Sequence, residues 1–113
     1  MDKADIKYRK CKITVIRREY YQDLADQYLA DPTVGKCQLF KEGQEFIVDN
    51  ENYFCMMNGK FCSEAWAAIS HYVYSAINGG SIMRGWTNDE KMMITCCNDG
   101  VRPVIFKLER IDE

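Results

Sequence analysis

The chain has 113 residues, with fifteen basic against seventeen acidic side chains and a formal charge of −2. One domain of this length buries roughly two thirds of the surface its unfolded form exposes, so neither disulfides nor a metal is required merely to fold it. The near-balanced charge excludes a global field drawing the protein to nucleic acid or anionic lipid, and any such partner would have to be met locally.

The first residues, MDKADIKYRKCKITV, are charged from the second position, and no run of roughly eighteen apolar residues occurs. These features predict an unexported, soluble, cytoplasmic protein without a membrane partner. Six cysteines is a high count. In a reducing compartment metal binding, reactivity and plain burial compete to explain them, and a disulfide framework carries little weight.

Lys10 to Arg18 (KCKITVIRR) alternates, with Cys11, Ile13 and Val15 on one face and Lys12 and Thr14 on the other, the period of a half-buried strand. In YYQDLADQYLADP, Tyr21, Leu24, Ala25, Tyr28 and Leu29 fall at helical spacing, and Asp31-Pro32 stops the helix. After a short loop, CQLFKEGQEFIVDN reads as two short strands turning at Gly43, with Cys37 opening the first and Phe46 and Val48 sharing a face of the second. ENYFCMMNGK is polar and poorly periodic, and Asn58-Gly59 signals a turn.

FCSEAWAAISHYVYSAINGG predicts a helix capped by Ser63, with Glu64 suiting the positive end of its dipole, and ending at Asn78-Gly79-Gly80. Trp66, Ile69, Val73 and Ala76 form its buried stripe. His71 lies two residues from both Ile69 and Val73, about 200° around the axis, so it faces solvent and shares no site with Cys62. KMMITCC and RPVIFKLERI form a hairpin through Asn98-Asp99-Gly100, with Pro103 at a strand start. The fold class is α+β: a mainly antiparallel sheet or partly closed small barrel, two helices and a C-terminal hairpin, in a single domain over residues 1–113.

No cysteine pair has C-x-x-C spacing, so local signals for metal or dithiol chemistry are weak. The positions say more than the spacings. Cys37 at a strand start, Cys62 before a helix and Cys96-Cys97 before a turn would meet at one rim of the sheet. Zinc or an iron-sulfur cluster draws thiolates from such separated places. Cys62 is the first candidate nucleophile, since thiolate is the form that attacks electrophiles and a helix N-terminus favours negative charge, while the Glu64 carboxylate opposes it. Cys96 and Cys97 project to opposite faces if extended, so at most one joins the core side. Cys11 belongs to the core, and Cys55, beside Met56 and Met57, is open to a role as ligand, lid or packing.

Weaker signals lie elsewhere in the chain. Asn78-Gly79-Gly80-Ser81 ends a helix, whereas phosphate cradles use a helix start. Seven basic residues in the first eighteen, counting Lys3, with Tyr8, Tyr20 and Tyr21 nearby, suggest single-stranded nucleic acid, but the acidic helix after them weighs against it. Arg102 and Asp99 suit a small anion or each other.

CQLFKEGQEF, FCSEAWAAI and CCNDGVRPVIFKLERI together resemble an uncharacterised family of short bacterial and archaeal proteins with FC-x-x-AW and C-x-DG-x-RPVIFK-x-ER motifs. The likeness runs over nearly the whole chain. It implies a shared site of Cys37, Cys62 and Cys97, with Trp66 and the DG-x-RP turn beside it. Ser63 stands where that family often has proline, and Asn98 where it often has threonine; neither touches a thiol.

The leading expectation is therefore a thiol site that binds a metal such as zinc or an iron-sulfur cluster, or that carries redox chemistry. In it Cys62 is the reactive thiolate and Cys37 and Cys97 are co-ligands or resolving thiols, with the fourth position left to Cys55, Cys96, water or a substrate. The alternative is a non-catalytic module binding a protein or small molecule through Tyr72, Tyr74 and Trp86. An open sheet edge would also admit a homodimer.

Overall fold

In the computed structural model, which describes residues 7–112, the alternating segment forms strand β1, Lys10–Arg18. Helix α1 (Gln22–Tyr28), strand β2 (Glu45–Val48), a 3-10 turn (Tyr53–Cys55), the single-turn α2 (Met56–Gly59) and helix α3 (Ser63–Ile77) come next, and the hairpin of β3 (Met92–Cys96) and β4 (Val104–Ile111) closes the order. The four strands make one antiparallel sheet in the order β2-β1-β4-β3. It is open, with β2 and β3 at its edges, so of the two sheet forms expected the barrel does not occur.

One sheet face carries Cys11, Ile13, Val15, Val48, Val104, Phe106 and Leu108, all essentially buried, against Ala65, Ile69, Val73, Ala76 and Ile77 of α3. The opposite face is solvated and laced by Lys12 with Glu45 and Glu109 and by Lys107 with Glu109. Alternation of side chains across the pleat produces this two-layer arrangement.

β1 does not alternate to its end. Its pairing with β4 runs Val15↔Phe106, then Arg17↔Ile105 and Arg18↔Val104, with a register shift between Val15 and Arg17. The extra residue, Ile16, flips the parity of the two residues after it, as a bulge does. Arg18 consequently shares the inner side with Val15, where strict alternation would have sent it outward.

Several local expectations are corrected. Cys37 opens no strand: Leu29 to Gln44 contains no helix or strand, and β2 stands alone after the turn at Gly43, whose φ is +84°. That segment is long for a structureless connection in a small domain, and such loops usually carry function. Only Ala25 of α1 is buried; Tyr21 and Tyr28 are exposed, because the helix lies at the margin of the molecule and not on the core. α3 takes Cys62, not Ser63, as its N-cap, because Cys62 is the last extended residue (φ −67°, ψ 128°). Trp66 is half-buried at the rim of the stripe. Met56, Met57 and Asn58 all have positive φ, so α2 is a left-handed turn, which costs L-residues on the order of 1–2 kcal/mol each.

α3 ends as its glycines require. The Gly80 amide donates to the Ser75 carbonyl and the Gly79 amide to Ala76, both at 2.9 Å, with Gly79 at φ +82°. This is the paired C-terminal cap that a left-handed residue makes possible.

Candidate functional site

Three connections meet where β1 ends and β4 begins: the loop carrying Cys37, the start of α3 with Cys62, and the hairpin turn from Cys97 to Pro103. They enclose a cavity of about 360 Å³ lined by the three cysteines with Leu39, Phe40, Val104, Glu64, Asn98, Asp99 and Arg102. Cys37, Cys62 and Cys97, far apart in sequence, thus line the same cavity, and all three are free and half-buried.

Each segment is tied to another by a side chain that reaches a backbone carbonyl. Asn98 Nδ2 donates to Glu64 O at 3.1 Å, joining the Cys97 turn to the first turn of α3. Arg102 donates to Lys36 O at 3.3 Å, joining that turn to the Cys37 loop. Arg18 Nη1 donates to Cys37 O at 2.7 Å, while its Nε donates to both oxygens of Glu42, at 3.0 and 3.1 Å. The Glu42 carboxyl, hydrogen-bonded to the Arg18 guanidinium, is held down at about 2. The Arg18 fork thereby closes the loop between Cys37 and Glu42 onto β1.

The hairpin itself aims Cys97 inward. Cys96 pairs with Ile105 and is exposed on the outer side. One residue on, the Cys97 amide donates to Val104 O at 3.2 Å, and the Val104 amide donates to Cys97 Sγ at 3.4 Å. Asp99 Oδ1 accepts the amides of Val101 and Arg102, both at 2.9 Å, which fixes the turn. Asp99 and Arg102 thus pair through that backbone bond and not through an ion pair between their side chains.

The floor is aromatic. Phe40, 3% exposed, has its ring centroid 5.1 Å from Phe61, 5.2 Å from Phe106 and 6.1 Å from Phe46. Leu39, 71% exposed, lies at the mouth. Adjacent residues of one loop thus have opposite duties, one anchoring the loop and the other lining its entrance.

The remaining candidates fall elsewhere. Cys11 is fully buried, and burial pushes its thiol up to about 12. Exposed Cys55 lies within reach of Asn52 O and Asn58 Oδ1 and does not line the cavity. His71 is exposed on α3 and likewise does not line it. The basic N-terminal segment is largely neutralised, through Arg9–Asp112, Arg17–Glu19 and Arg18–Glu42; Lys3 lies outside the described residues. A second cavity of about 250 Å³, between β2 and α2, is lined by Glu45, Phe46, Ile47, Asn52, Met57, Asn58 and Lys60 and has no thiol in its wall.

Among the described residues, no three histidine, cysteine, aspartate or glutamate side chains gather closely enough to hold a metal ion. Cys37, Cys62 and Cys97 share a cavity wall without converging into a donor set, so this arrangement does not fit the zinc or iron-sulfur reading. No helix among the described residues is long and apolar enough to cross a membrane. No family model, curated protein or solved structure matches the chain.

Proposed function

We propose that the cavity is a thiol-disulfide exchange site in which Cys62 attacks and Cys97 or Cys37 resolves. One observation carries this reading: three reduced cysteines from three separate connections line one solvent-connected cavity of about 360 Å³. Cys62 takes the attacking role because it stands at the N-cap of α3 and makes no side-chain capping bond, so the first-turn amides keep no partner from it. Cys97 Sγ, by contrast, is engaged by the Val104 amide, and Cys37 is on the loop clamped by Arg18. A resolving thiol on a separately tethered segment can approach Cys62 by loop movement without disturbing the sheet.

The test is mild oxidation of the reduced protein with subsequent peptide mapping. Disulfides should join Cys62 to Cys97 or Cys37, with Cys11 left reduced. Equally sluggish native-state alkylation of Cys37, Cys62 and Cys97 would remove the proposal.

A binding module is supported by a separate observation. The Tyr53 ring centroid lies 5.1 to 5.2 Å from those of Phe54, Trp66 and Tyr74, in edge-on or tilted contacts, and Phe54 is 72% exposed. This aromatic cluster takes in Tyr74; half-buried Tyr72 and exposed Trp86 form no aromatic pair with it. Under that reading Phe54→Ala abolishes partner capture and triple replacement of Cys37, Cys62 and Cys97 by serine leaves it intact.

A further inference from the structure

Resting on the exchange reading of the cavity, we infer that its substrate is a zwitterionic disulfide, a small amino-acid disulfide bearing an ammonium and a carboxylate beside each sulfur. Besides three sulfurs, the wall holds two carboxylates, Glu64 and Asp99, and one guanidinium, Arg102. Among the described residues none of these three is in an ion pair. Asp99 commits Oδ1 to two backbone amides, which leaves Oδ2 for a ligand. Arg102 commits one nitrogen to Lys36 O, which leaves most of its donor fork.

The charges decide between disulfides of similar size. A dication satisfies Glu64 and Asp99 but sets a positive group against Arg102, and a dianion does the reverse. A neutral disulfide uses only the apolar wall of Leu39, Phe40 and Val104 and forgoes every charge-assisted bond. An amino-acid disulfide meets both signs while its sulfurs lie against the cysteines. The volume suits one such molecule, being at the small end of ligand pockets.

The step balances. The Cys62 thiolate attacks one sulfur of the substrate; the substrate S–S bond breaks, a Cys62–substrate disulfide forms, and one amino-acid thiolate leaves and takes up a proton. The Cys97 or Cys37 thiolate then attacks Cys62 Sγ, which forms the protein disulfide and releases the second amino-acid thiolate. Two protein thiols are oxidised and one small disulfide is reduced.

The experiment exposes the full reduced chain to four probes: cystine (zwitterionic), cystamine (dicationic), dithiodiglycolate (dianionic) and bis(2-hydroxyethyl) disulfide (neutral). Adducts at Cys62 are monitored by mass spectrometry, and each rate is divided by that of a free cysteine peptide to remove intrinsic reactivity. Cystine should lead the neutral probe by about tenfold, the worth of one charge-assisted hydrogen bond. Because Arg102 also tethers the Cys37 loop, its variant is read as a ratio within one protein: Arg102→Gln should lower the ratio of the cystine rate to the neutral rate, and Glu64→Gln should lower the ratio of the cystine rate to the dithiodiglycolate rate. Equal corrected rates for all four probes, or an unchanged ratio of cystine to neutral rate in Arg102→Gln, would overturn the charge assignment while the exchange reading stands. No adduct at Cys62 with any probe would overturn both.

Discussion

Phe40 is the residue on which the Cys37 loop depends most, and replacing it with alanine gives a quantity that can be worked out beforehand. Its side chain is buried to within 3% and contacts three other phenylalanine rings. Removing a buried phenylalanine costs about 3–5 kcal/mol, a range that already includes the ring's aromatic contacts. A loss of about 4 kcal/mol is expected. With about 2.1 cal/mol/K of unfolding entropy per residue over 113 residues, the midpoint should fall by about 17 °C. Leu39→Ala, one position away and mostly exposed, should stay within about 0.5 kcal/mol of the parent. Thermal and urea melts give the first comparison, and native-state alkylation of Cys37 gives the second. Because Phe40 holds the loop on the sheet, Phe40→Ala should speed Cys37 alkylation by about tenfold or more, through local opening. A midpoint shift under about 4 °C, or equal effects of the two variants, would refute this view of the loop's anchorage.

Three further outcomes are expected from the same fold. The Cys11 thiol is raised from 9.0 to about 12 by burial, so the unfolded chain ionises first; stability present below pH 9 should decline toward pH 12 at about 1.4 kcal/mol per unit, and urea melts of Cys11→Ala should lack that slope. Glu42 is depressed from 4.5 to about 2 by its hydrogen bonds with Arg18, so its contribution is present above pH 4.5 and disappears as pH falls toward 2; carboxyl NMR should find the low titration in the parent and an ordinary one in Arg18→Met. Gly79→Ala forces a Cβ into φ +82° with only Arg9 Cγ nearby, at 4.0 Å, so strain alone should cost about 1–2 kcal/mol, whereas Gly100→Ala, with nothing within 4 Å and no positive φ, should be neutral in a thermal melt.

The sequence disclosed those features that local periodicity encodes. β1 and β4 were legible because apolar and polar residues alternate there, in β1 as far as Val15, and α3 because Ile69, Val73 and Ala76 repeat at helical spacing before a glycine stop. CQLF resembled a strand because its composition is strand-like, but the pull on it is tertiary: Phe40 is drawn into an aromatic cluster and Cys37 O is taken by Arg18, so the segment cannot also pair along an edge. Cys62 and Cys97 could be named by their nearness to element ends, whereas the strand expected to start at Cys37 does not form, and the choice of Cys97 over Cys96 comes with the family resemblance. Arg18 could not, because its inward aim results from an extra residue at Ile16 that no pattern of charges announces. The metal expectation failed to fit for a related reason, since cysteine count and position say nothing of whether three sulfurs converge or merely share a wall.

The arrangement of tethers argues for which part of the site is fixed and which moves. The turn from Cys97 to Arg102 is bound to β4 through Cys97 and Val104, to itself through Asp99, to α3 through Asn98 and to the Cys37 loop through Arg102. Its hold on α3 is one hydrogen bond to a rigid helix, and its hold on the loop is one long bond from an arginine at 3.3 Å. The loop's firmer attachments are the buried Phe40 ring, the Arg18–Glu42 fork and the 2.7 Å bond from Arg18 Nη1 to the Cys37 carbonyl itself. Cys62 and Cys97 therefore adjoin α3 and β4, whereas Cys37 lies in a connection without helix or strand that is held to β1 through Arg18. A disulfide between Cys62 and Cys97 would draw on the α3–hairpin junction held by Asn98; one between Cys62 and Cys37 would draw on the loop and its Arg18 clamp. Which of the two bonds forms first under mild oxidation reports directly on the relative freedom of the loop and the junction.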